Sequence, residues 1–230
     1  MRVPEPGGFD ASVRRPGQAW LAEHPAAARP RPLWVSYLPD LAEGFGDRCG
    51  YTAMHIEDGT VDHYRSCANY PDLIYEWSNY RFASARINAV KKTADDRVLD
   101  PFEVGDDWFE ILLPSLQMVP TEHIPVEARE RATFTLRRLG LRDGAPVMRR
   151  RATWYAEFLH GGLSLAGLRR FAPLLGRAVD KCLARIDAAS LGEARNHYER
   201  FLRSELVLHG LKSVAPDAAL AVEAMLRATG

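Results

Sequence analysis

Apolar positions change period several times along this chain, and each period predicts an element. Leu33, Tyr37, Leu41 and Phe45 step by four, one face of a helix, although Pro39 argues against a single straight one. Residues 51–56 and 60–64 read as two short strands. Between them Glu57-Asp58-Gly59 offers the positive φ that a tight hairpin turn requires. Residues 65–79 are polar, carry Pro71 and predict an irregular loop. Over 81–93 the helical period returns, with Ala83, Ile87, Val90 and Ala94 on one face and Ser84, Asn88, Lys91 and Lys92 on another. Residues 108–113 and 115–119, separated by Pro114, predict a second small pair of strands. From Pro125 onward the pattern is helical, over 127–139, 146–160, 163–187, 191–209 and 216–228. Gly161-Gly162 and Gly210 act as stops, and Ser190 with Glu193 has capping-box spacing.

Residues 1–32 break the periodicity, because six of the fifteen prolines lie there among Arg14, Arg15, Arg29 and Arg31. Proline fixes φ and removes a donor, so an extended arm is predicted, with one helical turn near Trp20–Glu23. The resulting division is a Pro/Arg-rich arm (1–32), an α+β domain (33–126) and an α-helical domain (127–230). At 230 residues with 47% hydrophobic positions, there is material for a packed core. No apolar run reaches the roughly 18–20 residues of a membrane span, and the first fifteen residues lack a signal-peptide stretch. The expectation is a cytoplasmic protein with no membrane partner.

Formal net charge is zero, which gives no general preference for a polyanion. Local counting changes that picture. Between Arg129 and Arg151 eight arginines face two acids, a net of +6, densest at Arg149, Arg150 and Arg151. Between Asp95 and Glu110 seven acids face Arg97, a net of −6. The basic stretch is a candidate phosphate-contacting surface; the alternative is a solvated face or internal pairing with the acidic segment.

The chemistry is concentrated between residues 61 and 92. Asp62 and His63 adjoin at the end of a predicted strand, so their side chains start toward opposite faces. Asn88 lies on the polar face of the following helix. A carboxylate and an amide carbonyl suit Mg²⁺ (or Mn²⁺) with several retained waters. His63 is the side chain suited to take a proton from water near neutral pH. Arg65, Arg86, Lys91 and Lys92 are candidates to hold flanking phosphates.

With Asn79 in the loop, the stretch from about Arg48 to Lys92, about a fifth of the chain, resembles the HNH endonuclease motif and its ββα-metal fold. The resemblance implies that His63 is the general base and that Asp62 and Asn88 hold the metal. It also implies that Asn79 ties the loop to the hairpin so that His63 is held in place. The corresponding fold is a ββα catalytic unit followed by a mostly helical C-terminal region. Many HNH proteins add two Cys-x-x-Cys pairs for a structural zinc. Here those positions read Cys49/Thr52 and Ser84/Ile87, so no structural zinc is expected and the rest of the chain must brace the fold. The expected activity is hydrolysis of phosphodiester bonds in nucleic acid, DNA in the first place. By family analogy the setting is bacterial defence or a mobile element, and the C-terminal helices would mediate oligomerisation or dock a partner protein. The alternative is a catalytically lost HNH-derived module that binds nucleic acid or assembles with a partner.

Overall fold

Two antiparallel strands and the helix that follows them organise the first part of the chain. In the computed structural model, which describes residues 2–25, 27 and 29–228, β1 (Gly59–His63) pairs with β2 (Tyr80–Ser84). Val61 stands opposite Phe82 and Asp62 opposite Arg81. Gly59 is required at the strand start, because a Cβ there would overlap the Phe82 ring. Ser84 ends β2 and caps α3 (Ala85–Lys91), its Oγ accepting the Ile87 N–H at 3.3 Å. Two expectations are corrected here. Residues 51–56 are not a strand, retaining only an isolated bridge between Arg48 and His55, and residues 80–84 are the strand that pairs with β1. The cause is burial: Tyr80, Arg81, Phe82 and Ala83 are all buried, which erases the alternation that marks a half-exposed strand.

The predicted N-terminal arm is part of this unit's core. A short π-helical turn (Asp10–Arg14) leads into α1 (Arg15–Glu23), where Pro16 occupies the first turn and its missing N–H costs nothing. Phe9 and Val13 are fully buried. The Phe9 ring lies edge-on to Tyr37, Trp77 and Tyr80, with centroids 5.2, 5.3 and 5.8 Å away. That burial is worth about 2–3 kcal/mol. Proline spacing alone does not reveal such an anchor. Likewise Pro39 sits in the first turn of α2 (Leu38–Gly44), after a 3-10 turn at Leu33–Tyr37, which reconciles it with the four-residue apolar step.

By contact the chain forms two compact units, residues 1–104 with 127–139, and residues 105–126 with 140–230. The division expected at 126/127 is therefore replaced by an exchange. Helix α4 (Arg129–Arg138) belongs to the first unit. There the Arg131 guanidinium donates to Tyr64 Oη and to the Val98 carbonyl, each at 3.0 Å, and Thr135 Oγ1 accepts the Leu99 N–H at 2.8 Å. The predicted second strand pair is present as β3 (Phe109–Leu112) and β4 (Gln117–Pro120), antiparallel, and it belongs to the second unit. Arg177 donates to the Phe109 carbonyl at 2.9 Å.

The second unit also contains α5 (Ala145–Leu159), α6 (Leu165–Phe171), α7 (Pro173–Leu183), α8 (Arg195–Leu202), α9 (Leu208–Val214) and α10 (Pro216–Ala228). Phe158, Leu165, Leu168, Phe201, Leu211 and Val222 are fully buried there. The helix expected over 163–187 is broken at Pro173, which opens α7. The one expected over 191–209 is broken at Ser204, whose φ of 64° leaves the helical region. Ser190 does not cap a helix; its hydroxyl donates to the Asp187 carbonyl within a 3-10 segment. No described helix is long and apolar enough to cross a membrane.

Candidate active site

His63 closes β1 with its imidazole between two rings, Trp34 at 4.6 Å and Tyr80 at 5.0 Å, both edge-on. Its Nε2 lies 2.9 Å from the Ile74 carbonyl, which also accepts the Tyr80 hydroxyl at 2.8 Å. A carbonyl only accepts, so Nε2 carries the proton and Nδ1 keeps its lone pair. Burial lowers the His63 pKa to about 4, partly offset by the Ile74 carbonyl and reinforced by the nearby Lys91 ammonium. The imidazole is therefore neutral at physiological pH.

Ile74 is carried by the loop between the strands, and Asn79 fixes that loop. Its Oδ1 accepts the Arg65 N–H at 2.8 Å, while Nδ2 donates to the Arg65 carbonyl at 2.9 Å and the Leu73 carbonyl at 3.1 Å. Every polar atom of the buried amide is thus used across the loop.

Asp62 lies beside His63 but in a closed environment, with only 1% of its surface exposed. Tyr51 Oη donates to Oδ2 at 2.6 Å, and Lys91 Nζ donates to Oδ1 at 3.0 Å and to the His63 carbonyl at 2.8 Å. Desolvation raises the Asp62 pKa; the Lys91 charge and the Tyr51 hydroxyl oppose it. Asn88 donates from Nδ2 to the Val61 carbonyl at 3.1 Å, so it is anchored to the same strand.

This arrangement corrects the expected metal site. Each carboxylate oxygen of Asp62 accepts one internal hydrogen bond and the buried Lys91 ammonium already stands beside it, so as placed the residues leave a second cation no position between Asp62 and Asn88 unless Lys91 moves. Among the described residues no group of three or more His, Cys, Asp or Glu side chains is placed to hold one either. The positive charge beside Asp62 is the chain's own ammonium.

Lys91 is likewise corrected as a phosphate contact, because it is fully buried. One signal for this was present: Lys91 follows Ile87 by four residues and so shares its inward face. Arg151 is corrected for a similar reason. It is 2% exposed, and its guanidinium donates to the carbonyls of Leu116 (3.0 Å), Arg142 (3.1 Å) and Leu141 (2.7 Å). Burial lowers its pKa to about 10, which leaves it charged at neutral pH. Arg149 and Arg150 are exposed on α5, and Arg86 and Lys92 are exposed at the two ends of α3. Arg65 pairs with Asp96 at 3.1 Å and lies over the Tyr70 ring.

Sequence spacing did not reveal Trp34, Tyr51 or the Ile74 carbonyl. Trp34 is distant in the chain from the segment it completes, Tyr51 lies in a stretch that reads as a strand and not as a donor to Asp62, and a main-chain carbonyl has no residue signature. The buried pair Arg81–Asp100, bidentate at 2.6 and 2.5 Å with Arg81 above the Phe102 ring, was also missed. Cys49 and Cys67 are free thiols. No protein-family model, curated protein or solved structure matches this chain.

Proposed function

We propose that this chain is an HNH-type endonuclease that hydrolyses phosphodiester bonds in nucleic acid, with DNA as the first substrate to test. The observation that supports it best is the state of His63. Its proton is held on Nε2 by a carbonyl, its neutral form is favoured by burial, and Nδ1 has no partner among the described residues. A base in that state can take a proton from a water attacking a phosphodiester. A pKa near 4 makes for a weak base, so an anionic phosphate drawn beside the ring would have to raise it. Arg86 and Lys92 are the exposed cations of the same segment available to hold the phosphate, and the half-buried Arg65 could join them only by leaving Asp96. The Mg²⁺ or Mn²⁺ expected on Asp62 and Asn88 belongs to this reading only with Lys91 displaced, because Tyr51 and Lys91 hold Asp62 as placed; the chelator arm of the assay below tests that requirement.

A second reading, a catalytically lost module that binds nucleic acid or a partner protein, is favoured by that same Asp62–Lys91 closure. A plasmid-nicking assay separates the two, run with Mg²⁺, with Mn²⁺ and with chelator on wild type and His63→Ala. Cleavage by wild type that disappears in His63→Ala is expected. Cleavage that survives the substitution overturns the assignment of the base. Intact DNA and RNA under every condition favour the second reading.

A further inference from the structure

A cleft of about 520 Å³ opens in the first unit between the 3-10 turn at Asp95–Arg97 and α4. It is lined by Thr93, Ala94, Arg97, Phe134, Arg137 and Arg138. All three arginines are exposed, and none forms an ion pair among the described residues. Neighbouring acids are committed elsewhere. Asp95 accepts from the Ser66 N–H at 2.6 Å and from Asn69, and Asp96 pairs with Arg65. None of these acids pairs with a cleft arginine, so the three guanidinium groups have no carboxylate partner among the described residues. Three like charges converging on one concavity disfavour the free protein slightly, and an anion there would relieve them.

The arginines are also positioned. Phe134 underlies two of them, with the Arg97 guanidinium 4.2 Å and the Arg137 guanidinium 5.9 Å from its ring centroid. Stacking on a ring restricts a guanidinium while leaving its N–H edge open to an acceptor. Arg138 is tethered more loosely, to the Lys91 carbonyl at 3.4 Å. Thr93, also exposed, adds a hydroxyl to the polar rim.

We propose that this cleft binds the phosphate backbone of a nucleic acid. The inference rests on the reading of the chain as one that acts on nucleic acid, and it places the principal phosphate contacts at Arg97, Arg137 and Arg138. Guanidinium forks match phosphate oxygens bidentately. The space exceeds what one phosphate needs, and the outer face of a ring-supported guanidinium is a platform on which a base can stack. An acidic peptide shares the charge but has no use for that platform, so nucleic acid is the favoured ligand.

The test is fluorescence anisotropy of a labelled oligonucleotide, single-stranded and duplex, titrated with the full chain between about 50 and 200 mM salt. Replacing all three arginines (R97A/R137A/R138A) is expected to reduce the slope of log K against log salt by about two to three, at roughly 0.7–0.9 for each phosphate no longer neutralised. Arg203→Ala, an exposed and acid-paired arginine, is the control and should leave the slope unchanged. Arg97→Gln alone should lower it by about one, and this keeps the test decisive if the triple variant misfolds. A wild-type slope in these variants overturns the proposal, as does polyglutamate competing as well as unlabelled oligonucleotide. Binding is read here and cleavage in the His63 experiment, so either inference can fail while the other stands.

Discussion

Lys91→Met tests the closure around Asp62 directly. The two side chains are each 1% exposed, and their charged atoms are 3.0 Å apart. At an effective dielectric constant of about 20, that separation corresponds to about 5 kcal/mol of Coulomb attraction, much of it offset by desolvation. Removing one partner strands the other, so the expected loss is about 3–5 kcal/mol of folding stability. Its pH dependence is more diagnostic. The folded-state pKa of Asp62 already lies above 3.8, so its charge costs stability as pH rises through and beyond that value. Without Lys91, which holds that pKa down, the window extends further upward. The deficit of the variant against wild type should therefore be largest at neutral pH and shrink on acidification, where Asp62 is protonated in both. Urea unfolding at a series of pH values measures this, and Asp62→Asn in the Lys91→Met background should recover most of the loss. A deficit below about 1 kcal/mol, or one that does not change with pH, refutes the buried pair.

Two other substitutions separate positioning from binding. Asn79→Ala removes three hydrogen bonds and leaves the Arg65 and Leu73 carbonyls and the Arg65 N–H without that partner. The expected cost is about 2–4 kcal/mol by chemical denaturation, with faster hydrogen exchange at the Arg65 amide; an unchanged exchange rate would contradict the clamp. Arg151→Met should destabilise the protein by about 2–4 kcal/mol, because the buried carbonyls of Leu116 and Leu141 lose the guanidinium donor and that of Arg142 keeps only the Met118 N–H. It should leave the salt dependence of nucleic-acid binding as in wild type, and a flattened slope would return Arg151 to the binding surface.

What could be read in the sequence followed the reach of each signal. Strand β1 and the β3–β4 pair were legible, since their residues alternate or flank a proline. β2 was not, because burial of both faces removes alternation and the Ala83–Ile87 step imitates a helix. The cluster of Asp62, His63, Asn79 and Asn88 was visible as spacing, and the fold brings these residues to one strand pair and its helix. Their electrostatic environment was hidden, because it depends on Tyr51 and Lys91, and a lysine on a mostly polar helix reads as solvated until its i–4 neighbour is seen to be core. The basic stretch shows the same limit. Its net charge was correct, yet the densest triplet includes a buried arginine, whereas the open cleft draws Arg97 from the acidic segment.

Buried charge also braces the small strand–helix unit. Asp62 and Arg81 face one another across the strands, but each finds its partner elsewhere, Lys91 on α3 and Asp100 beyond it. Four buried charges thus form two neutral pairs, one joining β1 to the end of α3 and one joining β2 to the segment that follows. At the four positions weighed from the sequence for a structural zinc, Cys49, Thr52 and Ile87 are buried and Ser84 caps the helix. Each ion pair joins a strand to a later segment of chain. A buried pair costs more to break than to omit, so this brace enforces one arrangement of the strands and helix more than it adds net stability. The His63 imidazole takes its orientation from the Ile74 carbonyl and the rings of Trp34 and Tyr80, and Lys91 ties the same residue into the brace by donating both to Asp62 and to the His63 main-chain carbonyl.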